Sequence, residues 1–502
     1  MTVLLILSYR ITKVFRSRQP SMPHSLSERQ NSLVPLCVDL DGTILKTDVL
    51  LEHACELLKQ RPWYVFRFAM WLLKGRAFFK HQLAHSATLD VATLPYCEEL
   101  IDFLKSERAR GRMLVLTTAA SQRAAEEIAT HLGIFDRVIA SNETLNLKGR
   151  AKLERLQQIF GETGFGYAGN ASVDLDIWKH AAEVVVVNAR SSVVNKASQF
   201  ATTPRVFQRK GNRIRSVLRA ARIHQWVKNL LLFVPLILAH RVTDTNALLK
   251  TSLGFLCFSL CASSVYIVND ILDLKADRAH PLKRNRPFAA GDLSIATGLI
   301  LVPLLLVPSF AMAGILSSSF FVILGLYYCL TLGYSLYLKR VALLDVSTLS
   351  LLYTIRLFAG SALTEVTISQ WLLAFSMFLF FSLAMVKRSS ELYNAKNRQQ
   401  SLAHGRGYLV SDRQQLATLG TASGYCAVLV FALYINSSAV VALYSHPNRL
   451  WLVCPLIFYW ISRLWLLAHR GQINEDPVVF AFTDRVSYII GALVAVFFLS
   501  AI

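Results

Sequence analysis

Charge is scarce in this chain, and negative charge is scarcest. Asp, Glu, Lys and Arg make up 17% of the 502 residues, with 53 Lys and Arg against 32 Asp and Glu. A soluble globular domain carries about 25%, so part of the chain is expected inside a membrane. Paired cysteines are missing too. The eight are scattered, none forms a CxxC pair, and Cys257 and Cys261 lie within an apolar run. Neither a disulfide framework nor a zinc site is indicated. The first residues, MTVLLILSYRITKVFRSR, put a short apolar run before the charges, the reverse of a signal peptide. Residues 1–33 read as a tail or a weak membrane-surface segment. What is abundant is apolar: 54% of residues, with mean hydropathy +0.41. The net charge of +21 clusters beside apolar runs. That placement suits the rim of a membrane protein and anionic ligands there rather than nucleic acid.

The chain changes character near Arg205. Before it, VPLCVDLD, RMLVLTTA, RVIAS, FGYAG and AEVVVVNA read as short buried strands separated by helical stretches. That alternation predicts a parallel sheet in an α/β domain over 34–204. Residues 205–225 form a densely basic linker. From 226 to 502, nine apolar runs read as candidate membrane spans, at 226–240, 250–268, 296–316, 318–338, 342–363, 370–386, 417–440, 449–467 and 485–502. Basic loops fall on one side if all nine cross, which places the N-terminal domain in the cytoplasm of an inner or plasma membrane.

Two constellations carry chemistry. In the first, Asp39-Leu40-Asp41-Gly42-Thr43 follows an apolar strand. One carboxylate there can attack phosphorus while the other moves the leaving-group proton. Thr118 ends a second strand and can bind phosphate. Lys148 can neutralise phosphate charge. Asp174, after Gly169-Asn170, can hold Mg²⁺. This order resembles the haloacid dehalogenase (HAD) phosphatases over about residues 34–200, close to their phosphoserine-phosphatase-like branch. The resemblance implies a Rossmann-like fold, Asp39 as nucleophile and Asp41 as general acid/base. It also implies Thr118 and Lys148 on the phosphoryl group, with Lys152 the alternative to Lys148. Mg²⁺ would sit on Asp39, the Asp41 carbonyl and Asp174. One residue departs from the pattern: the fourth motif usually begins Gly-Asp, and here it is Gly169-Asn170. Residues 50–95 stand where the family carries a helical cap. The aromatic stretch Trp63–Lys74 within it reads either as cap core or as a membrane-surface helix.

The second constellation is Asn269-Asp270-Ile271-Leu272-Asp273-Leu274-Lys275-Ala276-Asp277. Three Asp at spacings of three and four share one face if the helix continues. Such a cluster suits divalent cations that bridge a diphosphate, and Lys283, Arg284 and Arg286 follow to neutralise phosphate. The block resembles the first Asp-rich motif of the UbiA superfamily, over about 215–502, which implies an all-α polytopic membrane fold. At the family's second acidic motif this chain has Tyr334, Lys339 and the single Asp345. With HPxKRxRPxAxG from His280, HQWVKN from His224, Arg356 and Asp476-Pro477, it looks like the decaprenyl-phosphate phosphoribosyltransferase branch. That branch implies a polyprenyl phosphate acceptor and 5-phosphoribosyl diphosphate (PRPP) as donor. Asp270, Asp273 and Asp277 would hold Mg²⁺ on the leaving pyrophosphate. Lys228, Lys339 and Arg356 would fix the lipid phosphate or the ribose 5-phosphate. The HAD-like domain would then remove the 5-phosphate. Two alternatives stand beside this reading. One is an aromatic prenyltransferase using a prenyl diphosphate. The other makes the HAD-like domain a binding or regulatory module.

Overall fold

Leu36–Val38 is wholly buried and forms β1, at the middle of a six-stranded parallel sheet in the computed structural model. The structure describes residues 34–143, 145–200, 204–208, 211–397, 407–473 and 476–502. The expected tail, 1–33, lies outside the described residues. The other strands are β2 Leu114–Ser121, β3 Arg137–Ser141, β4 Gly166–Gly169, β5 Glu183–Val187 and β6 Arg205–Phe207. Their order is β3-β2-β1-β4-β5-β6, with Val38 in register with Leu116 on one side and Ala168 on the other. The order reverses between β1 and β4. In open α/β sheets the ligand crevice lies outside the carboxyl ends of strands at such a switch, and Asp39 is the first residue past β1.

Side chains alternate between the two faces. Leu36, Val38, Leu114 and Leu116 belong to one core, and Cys37, Val115, Tyr167 and Val184 to the other. Five of the strands are those expected. The sixth falls in the expected basic linker, and the sheet in fact runs on past residue 204. Arg205–Phe207 is a three-residue edge strand, half exposed, so it lacks the buried apolar run that marks the others. Between β1 and β2, at the expected cap, stand helices Val49–Gln60, Tyr64–Leu73 and Arg76–Ser86.

Two compact units divide the chain. One holds Tyr64–Lys210 with the described residues up to His53, and the other Gly211–Ile502 with Ala54–Trp63. The second is helical. Among the described residues, seven helices are long and apolar enough to cross a membrane: α1 Thr245–Leu272, α2 Ile295–Leu316, α3 Ser318–Leu336, α4 Leu344–Thr364, α5 Gln370–Lys396, α6 Val410–Ile435 and α7 Pro447–His469. The first and last of the nine expected runs are also helical but shorter, at Ile223–Leu238 and Arg485–Ala501. α1 and α4 are mostly buried within the bundle, whereas α2 is 11% buried and turns its Leu, Ile and Val outward. A helix apolar on its outside belongs in lipid. Asp244 caps α1, accepting from the Ala247 N–H at 3.0 Å.

Candidate active sites

In the sheet unit, the carboxyl ends of β1, β2 and β4 carry Asp39 and Asp41, Ser121, and Asn170. Lys152, on helix Arg150–Phe160, donates from Nζ to Asp39 Oδ1 at 2.7 Å and to the Tyr167 hydroxyl at 3.0 Å. Lys152 is thus the lysine on the expected nucleophile. Lys148 is exposed on the preceding loop. The helix explains the difference: its third residue shares the buried face with Leu153 and Leu156. Thr118 is fully buried, and its Oγ1 accepts from the Ala120 N–H at 3.0 Å.

Asp41 Oδ1 accepts the Val49 N–H at 2.8 Å, which ties the expected acid/base to the first cap helix. Burial, then the neighbouring Asp48 carboxylate, push Asp41 up to about 8. Burial also raises Asp39, opposed by the Lys152 ammonium. A cavity of about 50 Å³ beside them is lined by Asp41, Asp48, His53, Lys80 and Ser121 among others. Lys80 comes from the cap and donates to the Ala119 carbonyl at 2.7 Å and to Asn146 Oδ1 at 3.0 Å.

Asp174 does something other than offer open oxygens. Its Oδ2 accepts the N–H groups of Asn170 and Ala171 at 3.0 and 2.9 Å, and Oδ1 accepts the Tyr167 hydroxyl at 3.2 Å. It braces the loop after β4. The side chain that this loop presents is Asn170. A Cβ on Gly42 would lie 2.0 Å from Asn170 Nδ2, so the amide stands against the Asp39–Gly42 turn. Gly42 has φ 76°, a second reason for glycine there.

In the helical unit, a cavity of about 220 Å³ collects the second constellation. The helix does not continue through the Asp block. It breaks at Asp273, the C-cap of the helix that ends at Leu272, and restarts as Leu274–Ala279. The three carboxylates therefore divide. Asp270 and Asp277 share Arg286, whose Nη1 lies 3.2 Å from Asp270 Oδ1 and 2.7 Å from Asp277 Oδ2. Arg222 also pairs with Asp270. Asp273 turns to Lys339, at 2.9 Å. Burial pushes Asp273 up, but the ammonium groups of Lys339 and Lys59 together outweigh it and hold the carboxyl below the ordinary range. Burial raises Asp277 despite Arg286. Asn269 lines the same cavity, and its buried Oδ1 has no hydrogen-bond partner among the described residues. Lys283 lines it too, while Arg284 is exposed and outside it.

Elsewhere in the cavity lining, Asp476 accepts from Lys228 at 2.7 Å, Lys387 at 2.9 Å and the Tyr353 hydroxyl at 2.8 Å. Arg356 on α4 donates from Nε to Asn229 Oδ1 at 2.9 Å. Its guanidinium carbon lies 5.1, 5.2 and 5.7 Å from the ring centres of Tyr327, Phe258 and Tyr353. Aromatic faces stabilise a cation where water is absent. Asp345 does not line the cavity. It is fully buried, paired with Arg388 (Nη2 to Oδ1, 2.9 Å), and accepts the Tyr334 hydroxyl at 2.7 Å. Tyr334 does line the cavity. Sequence reasoning missed Arg222 and Lys387 as site residues, and Arg388 as the partner of Asp345. The last two fall in what reads as a basic rim loop, but the helix continues to Asn397 and carries them inward.

Residues 230–486, half of the chain, match the model of the UbiA prenyltransferase family. The chain belongs to that family. Residues 36–175 match the haloacid dehalogenase-like hydrolases, so a HAD-like domain precedes the UbiA domain of this multi-pass membrane protein. Uncharacterized protein y4nM of Sinorhizobium fredii is 40% identical over 471 residues, 93% of this chain and 91% of its own length. Nodulation protein NoeC of Azorhizobium caulinodans is 35% identical, covering 54% of this chain and 88% of itself. Decaprenyl-phosphate phosphoribosyltransferase of Mycobacterium tuberculosis is 33% identical, covering 56% and 92%. Among the described residues no three His, Cys, Asp or Glu side chains converge as a ready metal cluster. The donor chemistry of the UbiA cavity nevertheless fits a hard divalent cation, with hard carboxylate oxygens and the unpartnered Asn269 carbonyl at its wall.

Proposed function

We propose that the UbiA domain transfers 5-phosphoribose from PRPP to a polyprenyl phosphate, and that the HAD-like domain removes the 5-phosphate. The observation that carries the first step is the division of charge in the cavity. In one group of lining residues, Asp270, Asp273 and Asp277 stand among Arg222, Lys283, Arg286 and Lys339. In the other, Lys228 and Lys387 pair with a single carboxylate, Asp476, and Arg356 lines the same cavity. The first group suits a cation-bridged pyrophosphate. The second suits a separate phosphate that needs no metal. An aromatic prenyltransferase, with a prenyl diphosphate and an uncharged aromatic acceptor, would leave that second cationic group without an anion. The residue at its second acidic motif, Asp345, is here locked by Arg388.

The transfer breaks the bond from the anomeric carbon to pyrophosphate and forms one to an oxygen of the lipid phosphate. That oxygen is already anionic, so no strong base is needed. The demand falls on the leaving charge, which fixed cations stabilise. Mg²⁺ would be held by Asn269, Asp270, Asp273 and Asp277, where it would neutralise the leaving pyrophosphate. Arg222 and Arg286 would turn from the carboxylates to phosphate oxygens.

In the HAD-like domain, Asp39 would attack the 5-phosphate as Asp41 protonates the leaving ribose oxygen. Asp41 then takes a proton from the water that hydrolyses the aspartyl phosphate. A carboxyl raised to about 8 holds that proton at neutral pH. Mg²⁺ would be held by Asp39, the Asp41 carbonyl and Asn170. Both sites are assigned to the cytoplasmic face, where PRPP is available.

The test is to incubate the purified chain with Mg²⁺, polyprenyl phosphate and PRPP, and to weigh the lipid by mass spectrometry. A lipid heavier by ribose supports both steps. One heavier by phosphoribose keeps the transfer and makes the HAD-like domain regulatory or selective for another ligand. An unchanged lipid, with prenylation of an aromatic acceptor by a prenyl diphosphate, overturns the reading.

A further inference from the structure

The second cap helix, Tyr64–Leu73, is apolar on two opposite sides, and packing accounts for one of them. Tyr64, Phe68 and Trp71 recur at helical spacing and turn inward. Tyr64 is buried and meets Trp71 edge-on at 5.9 Å, and Phe68 meets Phe79 of the next helix at 5.6 Å. Phe66, Met70 and Leu73 form a second stripe at the same spacing, and they are 75%, 62% and 88% exposed. Val65 and Leu72, between the two stripes, are also exposed. Soluble proteins rarely leave such a contiguous patch without a partner.

The surrounding charge identifies the partner. Arg67, Lys74 and Arg76 are exposed around the stripe, and no Asp or Glu occurs between Glu56 and Asp90. An apolar stripe ringed by cations alone, with aromatics at its border, matches the boundary between acyl chains and anionic headgroups. At about 1.5 Å per residue the helix is about 15 Å long, half the hydrocarbon thickness, so it lies on a bilayer and does not span one.

We propose that this helix docks the HAD-like domain on an anionic lipid surface, with Phe66, Met70 and Leu73 among the acyl chains and Arg67, Lys74 and Arg76 on lipid phosphates. The contact also bears on the phosphatase site. Phe68 packs on Phe79, and the next residue, Lys80, lines the cavity beside Asp41. A docked cap would hold that cavity at the surface where a lipid-linked phosphate resides. This consequence, unlike the docking, rests on the hydrolysis proposed for the HAD-like domain.

The full chain is reconstituted in nanodiscs containing a phospholipid with a photoactivatable acyl chain, with and without phosphatidylglycerol. Labelled peptides are then mapped by mass spectrometry. The expected result is label on 66–73, stronger with phosphatidylglycerol and reduced at least fivefold in Phe66→Ser/Met70→Ser/Leu73→Ser. Labelling of α1–α7 stays constant as the internal control, and an unchanged melting curve shows that the variant is folded. Absence of label on 66–73 while α1–α7 are labelled overturns the proposal. So do chain-to-chain cross-links through this helix in place of lipid, or labelling indifferent to phosphatidylglycerol. Intact labelling with no hydrolysis of any phosphate ester strikes the catalytic reading and leaves the docking standing.

Discussion

Lys152 Nζ lies 2.7 Å from Asp39 Oδ1, both side chains buried, and the same ammonium meets the Tyr167 hydroxyl. The pair sets the ionisation of the proposed nucleophile, Asp39. Without the ammonium, burial and the Asp174 carboxylate raise Asp39 against the Leu40 N–H alone, which favours a proton that ends its nucleophilicity. Lys152→Met is expected to lower hydrolysis of p-nitrophenyl phosphate by at least about 100-fold, since such charge stabilisation is commonly worth 10²–10³ in rate. Lys148→Met, on the exposed loop, should cost less than about tenfold, a smaller loss than deleting one buried oxyanion donor. In the complete reaction, the Lys152 variant should accumulate lipid that still bears the 5-phosphate. Equal losses in the two variants would return the phosphate-binding role to Lys148.

Asp41 makes the same site pH-sensitive in a defined direction. Its folded-state value, about 8, lies above the ordinary 3.8. Between those values the folded chain keeps a proton that the unfolded chain has lost. Stability therefore falls as pH rises through the window, and the contribution is gone above about 8. Asp41→Asn has no such proton to lose. Its Tm, taken relative to the parent, should climb from pH 5 to pH 9. Hydrolysis by the parent should fall above about pH 8, as the acid needed by the leaving oxygen disappears. A flat Tm difference across that range would show that Asp41 is not held protonated.

These sites differ in how much of them the sequence makes visible. β1 with its Asp39-Leu40-Asp41 turn is legible because a short apolar run that ends in two carboxylates marks a buried strand opening onto a polar crevice. The apolar helices are legible from length alone, and all nine runs are helical. Lys152 is harder to see. It lies 113 positions from Asp39, and the choice between it and Lys148 depends on which face of a helix is buried. Local spacing also misplaces Asp273. Three Asp at helical intervals predict one acidic face, but the helix breaks at Asp273 and the next residue begins another. Pairings such as Lys228 with Asp476 are set by how distant helices pack, which no local pattern encodes.

The division of the three Asp residues predicts unequal losses of transfer. Asp270 and Asp277 share Arg286, so replacing either leaves that guanidinium with one acidic partner. Asp270→Ala and Asp277→Ala should each lower phosphoribosyl transfer by about 10³ or more, because both a cation ligand and the position of Arg286 are lost. Lys339→Met takes an ammonium from Asp273 without removing a carboxylate. It should raise the KM for PRPP more than it lowers kcat, as expected for lost ground-state binding. Radiolabelled PRPP with saturating lipid phosphate separates the two effects. Asp270→Ala transferring at parental rate would remove the Asp block from the chemistry.

Asp345 and Arg388 give the contrary case, an acidic residue whose burial assigns it to the fold. Removing one partner of a buried ion pair leaves the other charge stranded, at a cost of about 3–5 kcal/mol. Arg388→Met should therefore lower the yield and Tm of the folded chain. Arg388→Met with Asp345→Leu should recover much of that loss, because no buried charge remains unpaired. Transfer by the double variant should exceed that of Arg388→Met per mole of protein. Were Asp345 a cation ligand for the substrate, the double variant would be stable and inactive.

Asn170 is where the HAD-like domain departs from its family's pattern, and its surroundings predict the effect of restoring the acid. Asp174 holds the backbone of Asn170 and Ala171, so the loop is fixed. The Asn170 amide stands against the Asp39–Gly42 turn, where it would join Asp39 on the proposed Mg²⁺. An amide oxygen can ligate Mg²⁺, but it contributes no charge. Asn170→Asp adds one negative charge at unchanged geometry. A tenfold gain in Mg²⁺ affinity corresponds to about 1.4 kcal/mol, a modest demand on a partly buried carboxylate beside a divalent ion. Half-saturation of phosphatase activity should thus shift at least tenfold lower in Mg²⁺. In EDTA the same variant should melt below the parent, because Asp39, Asp41 and Asp174 then face a further carboxylate with no cation between them. Calorimetric titration with Mg²⁺ and melting curves with and without EDTA measure the two effects. A variant that melts lower in EDTA yet binds Mg²⁺ no more tightly would place the Asn170 side chain outside the cation's reach.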